Sequence, residues 1–153
     1  MNARTFLRGF AGLGIAIAVS TPAEALLFRA YLSVDGNDAN PCTLPQPCRL
    51  LPAALGAVAS GGEIWLLDSA NYNTATVNVA KSVKILAVPG AVGSVVATGG
   101  PAITIATAGV DVSLRNLVIV PLPGAGGPYG VYMTAGNSLT VEQCLLSGLT
   151  EDG

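Results

Sequence analysis

The side chains able to do chemistry are few and scattered. From Glu63 onward the acidic residues are Glu63, Asp68, Asp111, Glu142, Glu151 and Asp152. Glycosidase chemistry needs two carboxylates held close together, one as acid and one as base or nucleophile. Glu63 and Asp68 merely bracket one strand-like segment, and the others fall in separate segments. The chain contains 0 histidines, so the commonest general base and zinc ligand are both missing. Asp35-Gly36-Asn37-Asp38-Ala39-Asn40 resembles the start of a calcium loop. Its fifth position is Ala39 and its twelfth is Gln46 instead of a bidentate Glu, so Asx-turns explain it better. No serine elbow, phosphate-cradling Gly loop or CxxC motif occurs. Asp111 and Arg115 read as a solvated pair rather than the remnant of an active face. No residue is therefore assigned to catalysis, metal binding or a cofactor. The remaining leads are aromatic: Trp65 and Tyr132 at strand positions, Tyr72 and Tyr129 in turns. Flat rings on an exposed face can stack on sugar rings, and Trp65 and Tyr132 are the candidates for that role. The competing reading packs Trp65 under an N-terminal cap.

The elements that position these residues begin with an export signal. Arg4 and Arg8 precede an apolar run, Phe10 to Val19, shorter than the roughly 20 residues needed to span a bilayer. Ser20-Thr21-Pro22 breaks the run, and Ala23-Glu24-Ala25 offers small residues for cleavage after Ala25. Residues 1–25 thus read as a signal peptide and the mature protein as secreted or periplasmic, meeting the membrane only during export. The mature chain keeps five basic and eight acidic side chains, which argues against a nucleic-acid partner. Cys42 and Cys48 bracket a Pro-rich loop and are expected to form a disulfide in an oxidising compartment. Cys144, among Val141, Leu145 and Leu146, reads as a buried free thiol.

Residues 26–62 read as a cap: a short strand over Ala30–Val34, the cysteine loop, and a helix from Leu51 to Ser60 with Pro52 in its first turn and Gly61-Gly62 as its stop. From residue 63 to 153 the pattern changes to short strands of period two. They are Ile64–Leu67, Thr76–Val79, Val83–Leu86, Ala102–Ile105, Val110–Leu114, Leu117–Val120, Gly130–Met133 and Leu139–Leu146. Two registers recur in step. Val83-Lys84-Ile85, Val112-Ser113-Leu114 and Leu139-Thr140-Val141 lie 29 and 27 residues apart. Val77-Asn78-Val79, Ile103-Thr104-Ile105 and Val131-Tyr132-Met133 lie 26 and 28 apart. Joint recurrence at one period means that each period is one coil of a solenoid, with Ile, Val and Leu stacked inward and Thr, Lys and Ser outward. The alignment sets Arg115 and Glu142 side by side on adjacent coils. The fold read from the sequence is all-β, a parallel β-helix of about three coils.

Tyr31-Leu32-Ser33-Val34-Asp35-Gly36-Asn37-Asp38, Pro47-Cys48-Arg49, the short helix, and Gly62-Glu63-Ile64 through Asn71-Tyr72 together resemble the opening of secreted right-handed parallel β-helix repeat proteins of the pectin-lyase-like superfamily. The resemblance implies a right-handed coil and an N-terminal cap. Catalytic members use clustered carboxylates with Ca²⁺ and a basic residue, or two or three close Asp, and this chain departs from both patterns. Two function classes stand: an exported scaffold binding polysaccharide or another surface component, and a fragment of a polysaccharide lyase or glycoside hydrolase. Only Ser147 to Gly153 follow the last strand set, with no evident C-terminal cap. The expectation is a chain truncated at its C-terminus, whose open last coil self-associates.

Overall fold

The computed structural model describes residues 25–151. The leader read over residues 1–25, apart from Ala25, and the acidic Asp152 lie outside the described residues. Strand β1 (Leu27–Leu32) and helix α1 (Leu51–Ala57) open the chain. Then come β2 (Val58–Leu66), β3 (Ala70–Asn71), β4 (Val77–Val79), β5 (Val83–Ala87), β6 (Gly93–Ala97) and β7 (Ile103–Ala106). The series ends with β8 (Asp111–Arg115), β9 (Leu117–Pro121), β10 (Val131–Ala135), β11 (Ser138–Glu142) and β12 (Leu145–Leu146). They form three sheets, ordered β1-β2-β5-β8-β11, β3-β6-β9-β12 and β4-β7-β10, and all their strand pairs are parallel. The result is an all-β parallel β-solenoid of about four turns, one more than the repeats alone suggested.

Both recurring registers appear as strand pairs. Val83 and Leu139 each pair with Val112, and Val77 and Val131 each pair with Ile103. Alternation then decides the faces, because successive side chains of a strand point to opposite sides. In β5, Val83, Ile85 and Ala87 are buried while Lys84 is exposed. Ile64, Ile85 and Leu114 stack in register with no exposure at all. Burying each such side chain is worth about 1.5–3 kcal/mol relative to leaving it in water. The core is the sum of these columns.

Where the elements differ from the sequence reading, the reasons are local. The helix ends at Ala57 rather than Ser60, because Val58 turns extended (ψ 142°) and pairs with Leu27. Gly61 and Gly62 do not stop the helix; they bulge β2 opposite Phe28. Gly61 has φ +81°, and a Cβ on Gly62 would lie 2.5 Å from the Phe28 carbonyl oxygen. The sequence reading overlooked β6. Its first inward position is Gly93, where a Cβ would come within 2.6 Å of Leu66 Cδ2 and 2.9 Å of Ala87 Cβ. The segment Leu139–Leu146 is not one strand: Gln143, at φ 54°, turns the corner between β11 and β12, as Asn116, at φ 55°, does between β8 and β9.

The cysteine loop protects the edge of β1. Tyr31 N donates to Cys42 O (2.8 Å), and Cys48 N donates to Tyr31 O (3.0 Å). Cys42 and Cys48 form the expected disulfide. Asn37 Oδ1 accepts from Ala39 N at 2.9 Å, the Asx-turn foreseen in place of a calcium loop. Asp38 Oδ1 accepts from Arg49 N and Leu50 N, both at 2.8 Å, and so sets the entry to α1. Among the described residues no helix is long and apolar enough to cross a membrane.

Candidate functional site

The outward residues of the five-stranded sheet form two rows across its strands. One runs Arg29, Glu63, Lys84, Ser113, Thr140; the other runs Tyr31, Trp65, Leu86, Arg115, Glu142. Successive members are one strand spacing apart, about 4.8 Å.

Trp65 is fixed on β2, next to the edge strand β1. The Arg29 guanidinium lies over its ring at 4.1 Å, and Tyr31 meets it edge-on with centroids 6.4 Å apart. Its indole N–H donates to Glu63 Oε2 at 3.1 Å. The same carboxylate accepts from Arg29 Nε at 2.9 Å, lies 2.8 Å from Arg29 Nη2, and has Lys84 Nζ at 4.0 Å. The bond from Arg29 holds the Glu63 carboxyl below its usual range. Trp65 is thus braced by β1 and remains partly exposed on the outer face.

Beside Trp65 is a groove of about 500 Å³, walled also by Leu86, Pro89, Arg115, Asn116 and Gln143. Arg115 Nε lies 3.9 Å from Glu142 Oε2 and donates to Gln143 Oε1 at 3.3 Å, so the sequence-based pairing of Arg115 with Glu142 is present. Asn116 Nδ2 donates to the carbonyls of Ala87 (3.1 Å) and Val88 (3.3 Å), fixing the corner that forms one wall.

The other sequence candidates lie elsewhere. Tyr132 sits on β10, in the outward row Asn78, Thr104, Tyr132 of a different sheet, and is 42% exposed. Its ring stacks on Tyr129 at 4.9 Å, so Trp65 and Tyr132 do not share a platform. Tyr72 is not an exposed aromatic: it is fully buried, and its hydroxyl donates to the Asp68 carboxylate. Burial, then Asp68, push its phenol upward. Burial alone would raise the Asp68 carboxyl, but hydrogen bonds from Tyr72, Ser33 and Val34 hold it below its usual range. Asp111 is not paired with Arg115, at the other end of β8. It accepts from Ser138 Oγ and Asn137 Nδ2, both at 2.6 Å, which keep its carboxyl low. Cys144 is half-buried rather than buried, and desolvation raises its thiol. Glu63, Asp68, Asp111 and Glu142 therefore each engage their own partners. Among the described residues, no three His, Cys, Asp or Glu side chains gather to hold a metal.

Sequence reasoning found Trp65 but missed Arg29, Tyr31, Leu86, Asn116 and Gln143. The Gly61-Gly62 bulge hides the first two, because it breaks the period between β1 and β2. No protein-family model matches the chain, and no curated protein or solved structure matches it significantly.

Proposed function

We propose that the protein is an exported, non-catalytic β-solenoid that binds polysaccharide on the outer face of its five-stranded sheet. The observation that carries this reading is Trp65: a large ring held on an open face by Arg29, Tyr31 and Glu63, at the lip of a groove. With Arg29 over one face, the ring offers a sugar its remaining apolar surface, with little ordering left to do on binding. The separate engagement of the four carboxylates favours binding over bond cleavage, since paired-carboxylate chemistry requires two acting on one bond.

Export is supported by the leader sequence with its Ala23-Glu24-Ala25 site and by the Cys42–Cys48 disulfide, which suits an oxidising compartment. The right-handed sense of the coil and kinship with the pectin-lyase-like superfamily belong to the same proposal. They rest on the cap residues around Tyr31–Asp38 and Pro47-Cys48-Arg49. The test is retention on insoluble cellulose, xylan and chitin. Wild type and Tyr132→Ala should be retained alike and Trp65→Ala released, with circular dichroism confirming that each is folded. Equal retention of Trp65→Ala would overturn the assignment.

A further inference from the structure

We infer that the glycan taken by the Trp65 groove is uncharged and runs along the solenoid axis, across the strands; this rests on the polysaccharide-binding reading above. The charge pattern supplies the first reason. The one charged side chain lining the groove is Arg115, and it already faces Glu142 and donates to Gln143. Arg29 and Lys84, the other cations of this face, are both directed to Glu63. An acidic polymer would meet the Glu63 and Glu142 carboxylates beside these cations, whereas an uncharged one leaves the pairs undisturbed.

The walls supply the second reason. Trp65, Leu86 and Pro89 offer apolar surface, matching the C–H faces of sugar rings. Asn116 and Gln143 offer amides, which suit hydroxyl groups. Asn116 uses its Nδ2 and Gln143 its Oε1 within the protein. Among the described residues Asn116 Oδ1 and Gln143 Nε2 make no hydrogen bond, so one acceptor and one donor remain for a neutral ligand.

Direction follows from register. Trp65 pairs with Leu86, Leu86 with Arg115, and Arg115 with Glu142, the neighbour of Gln143. Three strand spacings put the aromatic and amide ends about 14 Å apart. A polymer touching both must cross β2, β5, β8 and β11 and therefore follow the axis.

Trp65 is the 1 tryptophan of the chain, so its emission reports the groove directly. The probes are cellohexaose, xylohexaose and mannohexaose, with hexagalacturonate as the acidic comparator. The expected result is a saturable emission change with a neutral hexasaccharide, its Kd unchanged within about twofold between roughly 0.05 and 0.5 M NaCl, a range over which charge-driven binding is screened. Leu86→Glu, which puts a charge in mid-groove, should weaken binding at least about tenfold, while Thr104→Glu on another sheet leaves it unchanged. Tighter, salt-sensitive binding of hexagalacturonate would overturn the uncharged class and leave polysaccharide binding standing. Unchanged affinity in a folded Leu86→Glu variant would overturn the groove. No emission change with these probes, together with no retention on the insoluble polysaccharides, would overturn both readings.

Discussion

Asn73 offers the sharpest test of how the coils are joined. Among the described residues it is the polar side chain buried in the core, 1% exposed. The strands β3 and β6 pair only through Ala70 with Gly93 and Asn71 with Ser94, followed by Tyr72 N donating to Ser94 O at 2.9 Å. The next rung, at Val96, has a side chain in place of a strand. Asn73 Nδ2 donates to Val96 O (2.7 Å) and Ala75 O (2.9 Å), and Oδ1 accepts from Val96 N (2.8 Å). Asn73→Ala removes all three bonds and strands the Val96 amide and carbonyl. At about 1 kcal/mol net for each bond, with more where a desolvated group is orphaned, the cost should be about 3 kcal/mol. That is a large part of an ordinary domain stability of about 5–15 kcal/mol. Urea unfolding followed by Trp65 emission measures it. Asn73→Asp adds a pH signature. Its carboxylate would face the Val96 and Ala75 carbonyls in a dry site, so its folded pKa must rise above the unfolded value of about 3.9. A raised pKa leaves stability intact below the unfolded value and removes it as pH rises through the folded one. Asn73→Asp should therefore lose stability relative to Asn73→Ala from about pH 4 upward. A cost under about 1 kcal/mol for Asn73→Ala, or a pH-independent gap between the two variants, would refute the side-chain rung.

Three further outcomes follow from the same contacts. Reducing the Cys42–Cys48 disulfide, whose sequence separation is 6, should lower stability by about 2 kcal/mol on loop-closure entropy, measurable by urea unfolding with and without dithiothreitol. Glu63 is held below its usual range, so its share of the stability exists above its unfolded pKa of about 4.3 and is lost as pH falls through the folded value. Acid titration of Trp65 emission should show this loss in wild type and not in Glu63→Gln. Arg115 and Glu142 have side chains 57% and 55% exposed, so Arg115→Glu should cost only about 0.5 kcal/mol, regained when Glu142→Arg is added. A double-mutant cycle with no coupling would contradict a contribution from this pair to stability.

What the sequence disclosed of this fold depended on repetition. The triplets at Val83, Val112 and Leu139 stack because parallel strands a coil apart bring like positions together, and any column of three aliphatic residues shows that period. β6 escaped notice because its first inward position is Gly93, a residue that signals loops. Glycine is required there by the Leu66 and Ala87 side chains of other segments, a demand no local pattern carries. The corners at Asn116 and Gln143 were hidden likewise: each is a single residue at positive φ, within reach of a polar side chain, with no glycine to mark it.

The site was less legible than the fold for a related reason. In a solenoid the inward positions answer to their neighbours above and below, so they repeat, and repetition is readable. Outward positions are free of that constraint, and it is there that Arg29, Tyr31, Trp65 and Arg115 differ from coil to coil. Period analysis can place such residues on a face but gives no reason to group them. Their grouping arises from cross-strand adjacency at one strand spacing, which sets Tyr31 beside Trp65 despite the four-residue excursion at Ala59–Gly62. The aromatic face and the bulge are therefore linked. The extra residues in β2 restore the register in which Arg29 meets Glu63, and that pair braces the ring. A slip of β1 by one position against β2 would turn Arg29 and Tyr31 inward. In this molecule an irregularity at the cap, rather than the repeat, sets Arg29 and Tyr31 against Trp65.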